Sequence, residues 1–277
     1  MNIIRFSAPA ALVAMLALSG CGATDGTSSS LSSSLDKTVI TGMASKGPIN
    51  KGTVKIFAVV DGVEGAEIGH GETDAVGKFT VDVGNFKGPV MVEVNGSFTD
   101  EVSPTTTVIL KNPLRAVFSN ASTGTNTVAV TPLTELACTK AKRLGAKLTK
   151  TAIDDANKAM ATKFKLADIV TTLPVAGGTK TGEKEYAAAC GTISQLANTN
   201  LANSLITSPT SGKRLDDALA EVMTNMETEI ENSGDLSPES EAELNDAGTK
   251  FISGGSNHTG AVEATHVETA SGGGGGK

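Results

Sequence analysis

The chain has no tryptophan, one tyrosine (Tyr186) and only eight phenylalanines in 277 residues. Sugar-binding faces stack rings on aromatic platforms, and large interface anchors are enriched in Trp and Tyr. The shortage argues against a carbohydrate module, although calcium-assisted or hydrogen-bonded sugar sites need no such platform. Histidine is equally sparse: His70 falls on an expected strand, and His258 and His266 fall in the last segment. A Ser-His-Asp hydrolase needs a histidine oriented inside a folded site, and no G-x-S-x-G elbow is present. Also missing are a C-x-x-C pair, a haem-attachment motif and H-E-x-x-H. "GGTKTGEK" and "PTSGKRLDD" each lack residues that a phosphate loop requires, the second carrying Arg214 where Ser or Thr must reach magnesium. There is no basic stripe to neutralise phosphates, so no nucleic-acid partner is expected. The net charge of −7 is spread along the chain and serves solubility. No catalytic residue, metal site or cofactor is expected.

What is present begins at the amino terminus. A short leader with one charge, Arg5, precedes an apolar stretch from Ala8 to Leu18. That stretch is about half of the roughly twenty residues a membrane-spanning helix needs. A charged leader, a short apolar core and small residues before a break describe a secretory signal peptide. Leu18-Ser19-Gly20-Cys21 then resembles the lipobox of bacterial lipoproteins. The resemblance implies cleavage before Cys21, acylation of its thiol by diacylglycerol, and a membrane partner reached through that lipid. Residue 22 is Gly22, not the aspartate associated with inner-membrane retention in enteric bacteria, so the resemblance leans to the outer membrane. Residues 1–20 are thus expected to be removed, and residues 21–36, rich in serine, to form a flexible tether. At about 5–6 Å × √n, its reach is roughly 20 Å.

The two remaining cysteines, Cys138 and Cys190, leave two readings open. An exported chain crosses an oxidising compartment, where a disulfide would contribute roughly 4 kcal/mol. Alternatively, both are free thiols buried on helices as small apolar residues.

From residue 37 to 130 short runs rich in β-branched residues alternate apolar with polar, among them "GTVKIFAVV", "KFTVDVG" and "PVMVEVNG". Asp61-Gly62, Asn95-Gly96 and two Gly-Pro pairs punctuate them. About seven strands in this space predict an antiparallel sandwich. Gly42, Pro48, Gly52, Val54, Thr73, Asp74, Gly77 and Phe79 resemble the carboxypeptidase-regulatory-like, or transthyretin-like, β-sandwich of bacterial surface proteins. That resemblance implies a Greek-key, prealbumin-like fold acting as spacer, stabiliser or binding unit, without peptidase chemistry. Glu72, Asp74, Asp82 and the pair Asp100-Glu101 raise calcium as a thought, but a cation of that kind needs six to eight converging oxygens, and a solvated hairpin turn is the reading preferred.

At Thr131 the period changes to that of helices. Thr131 suits an N-cap, Pro132 the first helical position and Glu135 the first turn. Further helices are expected from Thr151 (with Asp154 in a capping-box position), from about Lys184 to Ser204, from about Lys213 to Glu231, and after the Ser237 cap. Their aliphatic stripes, patched by Met223 and Met226, predict a small bundle over residues 131–252. Residues 253–277 are expected to be disordered, with incidental histidines. The fold class is therefore α+β: an N-terminal antiparallel β-sandwich, then a C-terminal α-helical bundle.

The function expected is that of a non-enzymatic, lipid-anchored cell-envelope protein that meets another envelope protein or the cell wall. A small-ligand or cation module at the strand–helix junction is the first alternative, and a hydrolase with an unrecognised site the second.

Overall fold

The structure is a computed structural model and describes residues 37–145, 147–207, 212–264 and 267–268. It is a mixed α+β arrangement of eight strands in two sheets, followed by five helices. The strands are β1 (Thr38–Ala44), β2 (Ile49–Val60), β3 (Val63–Glu72), β4 (Lys78–Asp82), β5 (Gly88–Thr99), β6 (Thr107–Ile109), β7 (Leu114–Ala121) and β8 (Gly124–Val130). The helices are α1 (Pro132–Gly145), α2 (Lys150–Lys163), α3 (Glu183–Thr207), α4 (Leu215–Ser233) and α5 (Pro238–Ser253).

The smaller sheet has the order β4-β1-β8, and the larger runs β3-β2-β5-β6, with β7 also paired to β5. Asp61 and Gly62 both take positive φ (53° and 78°), the backbone a tight β2–β3 hairpin demands. The wholly antiparallel expectation fails at one place: β1 runs parallel to β8, with Thr38 opposite Gly124 and Ala44 opposite Val130. Parallel neighbours need a long connection, and here six other strands supply it. Periodicity within a strand reports its faces but carries no record of which distant strand lies beside it.

The residues flagged around the first hairpins have definite tasks. Gly42 lies opposite Phe79 in the β1–β4 ladder, and a methyl group there would strike the Val128 carbonyl oxygen at 1.8 Å. The Thr73 hydroxyl accepts from Gly52 N at 2.8 Å and donates to the Ile49 carbonyl. Asp74 Oδ1 accepts from Val76 N and Lys78 N, closing the turn in which Gly77 holds φ at 82°.

Burial explains why "PVMVEV" reads as a continuous apolar run. Val90, Val92 and Val94 join Ile40, Val81 and Val128 of the smaller sheet in one cluster. Met91 points the other way, with Val117, into a second cluster under Cys138 and Ala141 of α1 and Ile153 and Ala156 of α2. A sheet covered on both faces has no polar side to alternate with. The first cluster continues past Val130 through Leu133, Leu136 and Tyr186 to Met226, Leu244 and Val267, so strands and helices share one core.

Helix starts largely follow the sequence. Thr131 Oγ1 accepts from Thr134 N, and Thr134 Oγ1 accepts from Thr131 N. α2 begins earlier than expected, with Thr149 as its cap accepting from Ala152 N, while Asp154 pairs with Lys150 at 3.0 Å. The described part of the segment after residue 253 makes contacts with the helices. Asn245 grips Val267 twice, donating to its carbonyl oxygen at 3.3 Å and accepting from its N–H at 2.7 Å. Glu268 N donates to the Lys163 carbonyl, and Ala261 packs on Phe251. Composition announces a lack of apolar side chains but misses two that find a seat.

α3 and α5 meet where Gly191 faces the ring of fully buried Phe251; an added methyl would lie 2.3 Å from the ring's Cζ and 2.6 Å from Cε1. Gly191→Ala should therefore cost about 2–3 kcal/mol by overpacking. A second change, Phe251→Leu, should recover part of that loss. Urea midpoints of the parent and the two variants measure both effects; a Gly191→Ala protein as stable as the parent contradicts so close an approach.

Candidate functional site

The polar groups inside this core concentrate where strands meet helices. Lys46, in the β1–β2 turn, is 1% exposed. Its ammonium donates to Ser194 Oγ on α3, lies 3.4 Å from Glu101 Oε2, and sits 5.6 Å from the centre of the Phe98 ring. Ser194 Oγ in turn donates to Glu101. Beside it Asp100 Oδ2 accepts from Val102 N, Ser103 N and Asn198 Nδ2. The acidic pair Asp100-Glu101 is thus spent on joining the β5–β6 loop to α3. Asp74 is consumed by its own turn, and Asp82 pairs with Lys37 at 2.6 Å. Among the described residues no three His, Cys, Asp or Glu side chains converge as a metal-binding set. His70 is exposed beside Glu67, and His258 is exposed.

A second link joins α1 to β7. Glu135 is 2% exposed and accepts the Arg115 backbone N–H at 2.6 Å and its Nε at 3.0 Å, with a further bond from the guanidinium. Hydrogen bonding to Glu135 outweighs burial and raises the Arg115 pKa. A third link uses the lone tyrosine: Tyr186 Oη donates to the Ile169 carbonyl at 2.8 Å and shares a 2.7 Å bond with the Thr131 hydroxyl. Burial pushes its pKa well up. A fourth is Lys163, which donates to Glu241 at 2.5 Å and pairs with Asp235 at 3.1 Å.

Cys138 and Cys190 are free, buried thiols in different packing clusters. The disulfide reading therefore gives way to its alternative: Cys138 faces the large sheet from α1, whereas Cys190 lies in the larger core. Burial pushes Cys138 up to about 11 and Cys190 higher still. Neither is a nucleophile at neutral pH. Cys21 and His266 lie outside the described residues.

One cleft sets an opening beside a half-buried carboxylate, Glu227. It lies between the β6–β7 turn, the start of α1 and one face of α4, and encloses only about 30 Å³, room for a water or two. Leu110, Pro113, Pro132, Leu219 and Met223 line it, with Ile109, 64% exposed, on the rim. Most charges around it are engaged: Lys111 with Asp216 and Asp217, Glu135 with Arg115, Lys46 with Glu101. Half-buried Glu227 has no hydrogen bond or ion pair among the described residues. Burial first, then the charge of Glu135, raises it to about 7; Arg115 and Lys142 pull the other way without matching them.

Sequence reasoning passed over this carboxylate. A signal was there: Glu227 lies four residues after Met223 and eight after Leu219, on the edge of the apolar stripe of α4. Lys46 offers no comparable cue, since a lysine beside Gly47-Pro48 reads as a solvated turn.

No family model matches the chain, and no curated protein matches it. Among solved structures it is similar to a 9R-lipoxygenase from Cyanothece, at 17% identity over 34% of this chain and 16% of that one, with a TM-score of 0.23. The chain thus corresponds to under a fifth of that enzyme's length, and a likeness this slight carries no argument. No helix among the described residues is long and apolar enough to cross a membrane.

The raised Glu227 pKa has a thermodynamic sign. The folded protein holds this proton up to about 7, whereas the unfolded chain releases it near the ordinary 4.5. Between those values the native state binds more protons, so its stability falls as pH rises and the loss is complete above 7. Glu227→Gln should match the parent at pH 4 and exceed it at pH 8, by on the order of 1 kcal/mol after solvent screening. Urea unfolding at the two pH values checks this; equal stability at pH 8 contradicts it.

Proposed function

We propose that the chain is a non-enzymatic bacterial lipoprotein of the cell envelope, held to a membrane through a lipid on Cys21, with an interaction role on a protein or cell-wall partner. One observation carries the proposal: Leu18-Ser19-Gly20-Cys21 stands directly after a short apolar core and directly before a serine tract. Two or more acyl chains make anchoring stable where one does not, because each buried methylene contributes about 0.8 kcal/mol. Gly22 favours the outer membrane. In this reading the two sheets are a Greek-key, transthyretin-like sandwich and α1–α5 a helical bundle. Support comes from the apolar faces that the two sheets contribute to one cluster, and from the contacts among α1, α3, α4 and α5. The non-enzymatic role draws support from the buried ionic groups of the body: Lys46, Glu135, Lys163 and Glu241 tie elements together.

A second reading, a small-ligand or cation module at the strand–helix junction, is favoured by the Glu227 cleft. It is compatible with the first, since an anchored body needs a surface on which to meet its partner.

Cys21→Ala should move the protein from the membrane fraction to the soluble one and abolish fatty acid at its amino terminus. Fractionation with intact-mass measurement reads both. A variant that still sediments with membranes, from a parent that carries no fatty acid, overturns the anchor.

A further inference from the structure

We propose that the groove between α5 and the carboxyl end of α2 reads an extended peptide carrying one aliphatic side chain, and that the chain's own Val267-Glu268 fills it as a displaceable plug. The occupant admitted when the plug leaves is an equivalent segment of a partner protein. The inference stands apart from the lipid anchor.

The argument starts from the main chain of these two residues, every polar group of which is taken. Asn245 Oδ1 accepts from Val267 N at 2.7 Å, and Asn245 Nδ2 donates to the Val267 carbonyl at 3.3 Å. Glu268 N donates to the Lys163 carbonyl at 2.8 Å, and Lys163 Nζ donates to the Glu268 carbonyl at 3.1 Å. One residue thus faces α5 with both its groups and the next faces α2 with both, the pattern by which a strand meets two neighbours. Main-chain bonds supply affinity in such a mode, and a seat for one side chain supplies selectivity. That seat holds Val267, 3% exposed, in the cluster containing Leu236 and Leu244. A charged side chain there would be buried without a partner. The Glu268 side chain is exposed, so its identity is not read.

The groove is built by bonds in which the plug has no part. Glu241 and Asp235 hold the Lys163 ammonium, whose third proton is left for a peptide carbonyl. At the end of α2, the carbonyls of Met160, Ala161 and Thr162 are taken by Phe164, Leu166 and Lys165. The Lys163 carbonyl is the one that turns to the groove, an unfilled helix-end acceptor until a peptide N–H arrives. Asn245 stands on a helix rooted in the core by Leu244, Ala247 and Phe251. The plug, by contrast, is held locally. Ala261 has a separate seat on Phe251, and after it Val262 is 87% exposed and Glu263 is exposed. Val267-Glu268 can therefore let go without unseating Ala261, a local opening of the low-cost kind.

The test uses the full chain in detergent, as parent and as Val267→Asp, which cannot seat its plug without burying a charge. The probe is the labelled peptide acetyl-Glu-Ala-Thr-His-Val-Glu-Thr-amide, the sequence of residues 263–269, followed by fluorescence anisotropy. Val267→Asp should bind it at least tenfold more tightly than the parent, whose groove is occupied for most of the time. Asn245→Ala in that background should weaken binding by about tenfold or more through two lost hydrogen bonds. A peptide with aspartate in place of its valine should not bind, whereas one with serine everywhere except that valine should bind within about threefold of the first. In the parent, saturating peptide should speed deuterium exchange at the Val267 and Glu268 amides. Equal binding by parent and a folded Val267→Asp, no binding by either, or binding indifferent to Asn245→Ala or to the peptide's valine overturns the groove. A site that rejects the serine-flanked peptide overturns a partner segment as occupant. Should Val267→Asp not fold, exchange at the parent's plug amides decides, and rates unmoved by saturating peptide overturn the proposal.

Discussion

The Arg115–Glu135 pair is the contact on which the rest of the body leans. Glu135 stands in the first turn of α1, and α1 touches β7, β8, α2, α3 and α4. Its carboxylate takes both the guanidinium and the backbone N–H of Arg115, so the helix is fixed to the strand's backbone as well as to a side chain. An almost fully buried carboxylate without those donors would be severely penalised. With them, it sets the height of α1 over the large sheet and seats Cys138 and Ala141 on Met91 and Val117. The same negative charge then faces α4 and makes ionisation harder for Glu227. A structural rivet and a reactive-looking carboxyl group are two sides of one electrostatic arrangement.

A core this poor in rings is packed by aliphatic and small residues. Val90, Val92 and Val94 mesh with β1, β4 and β8, and α3 brings Ala188, Ala189 and Gly191 to its contacts. Small residues let helices approach closely but leave little apolar area per residue. Buried polar links supply the directional information that large aromatics provide elsewhere. Tyr186 combines both, its ring in the core and its hydroxyl joining the start of α1 to the loop carrying Ile169.

Much of the fold was legible because local chemistry determines it. Alternation in "KFTVDVG", the Asp61-Gly62 turn, the Thr131 and Ser237 caps and the aliphatic stripe of α4 each act within a few residues. Gly42 and Gly77 were legible for the same reason: a turn or a close strand contact demands them. Illegible were the features decided across the chain. The parallel β1–β8 ladder, the separation of Cys138 from Cys190, and the seat that Asn245 makes for Val267 depend on partners distant in sequence. The candidate site divides the same way. Glu227 showed itself faintly through helical spacing, whereas the engagement of Lys111 and Glu135, which leaves Glu227 alone, is a property of the assembled body.

The side-by-side placement of β1 and β8 has a consequence for how the chain comes together. The first strand made is flanked by the last, so its second edge stays open while every intervening strand is synthesised. Contacts so remote in sequence slow folding, and an uncovered edge is a template for pairing with other chains. During that interval the protection must come from the hairpins that do form early. The order of synthesis thus makes β8 the latch that seals the small sheet.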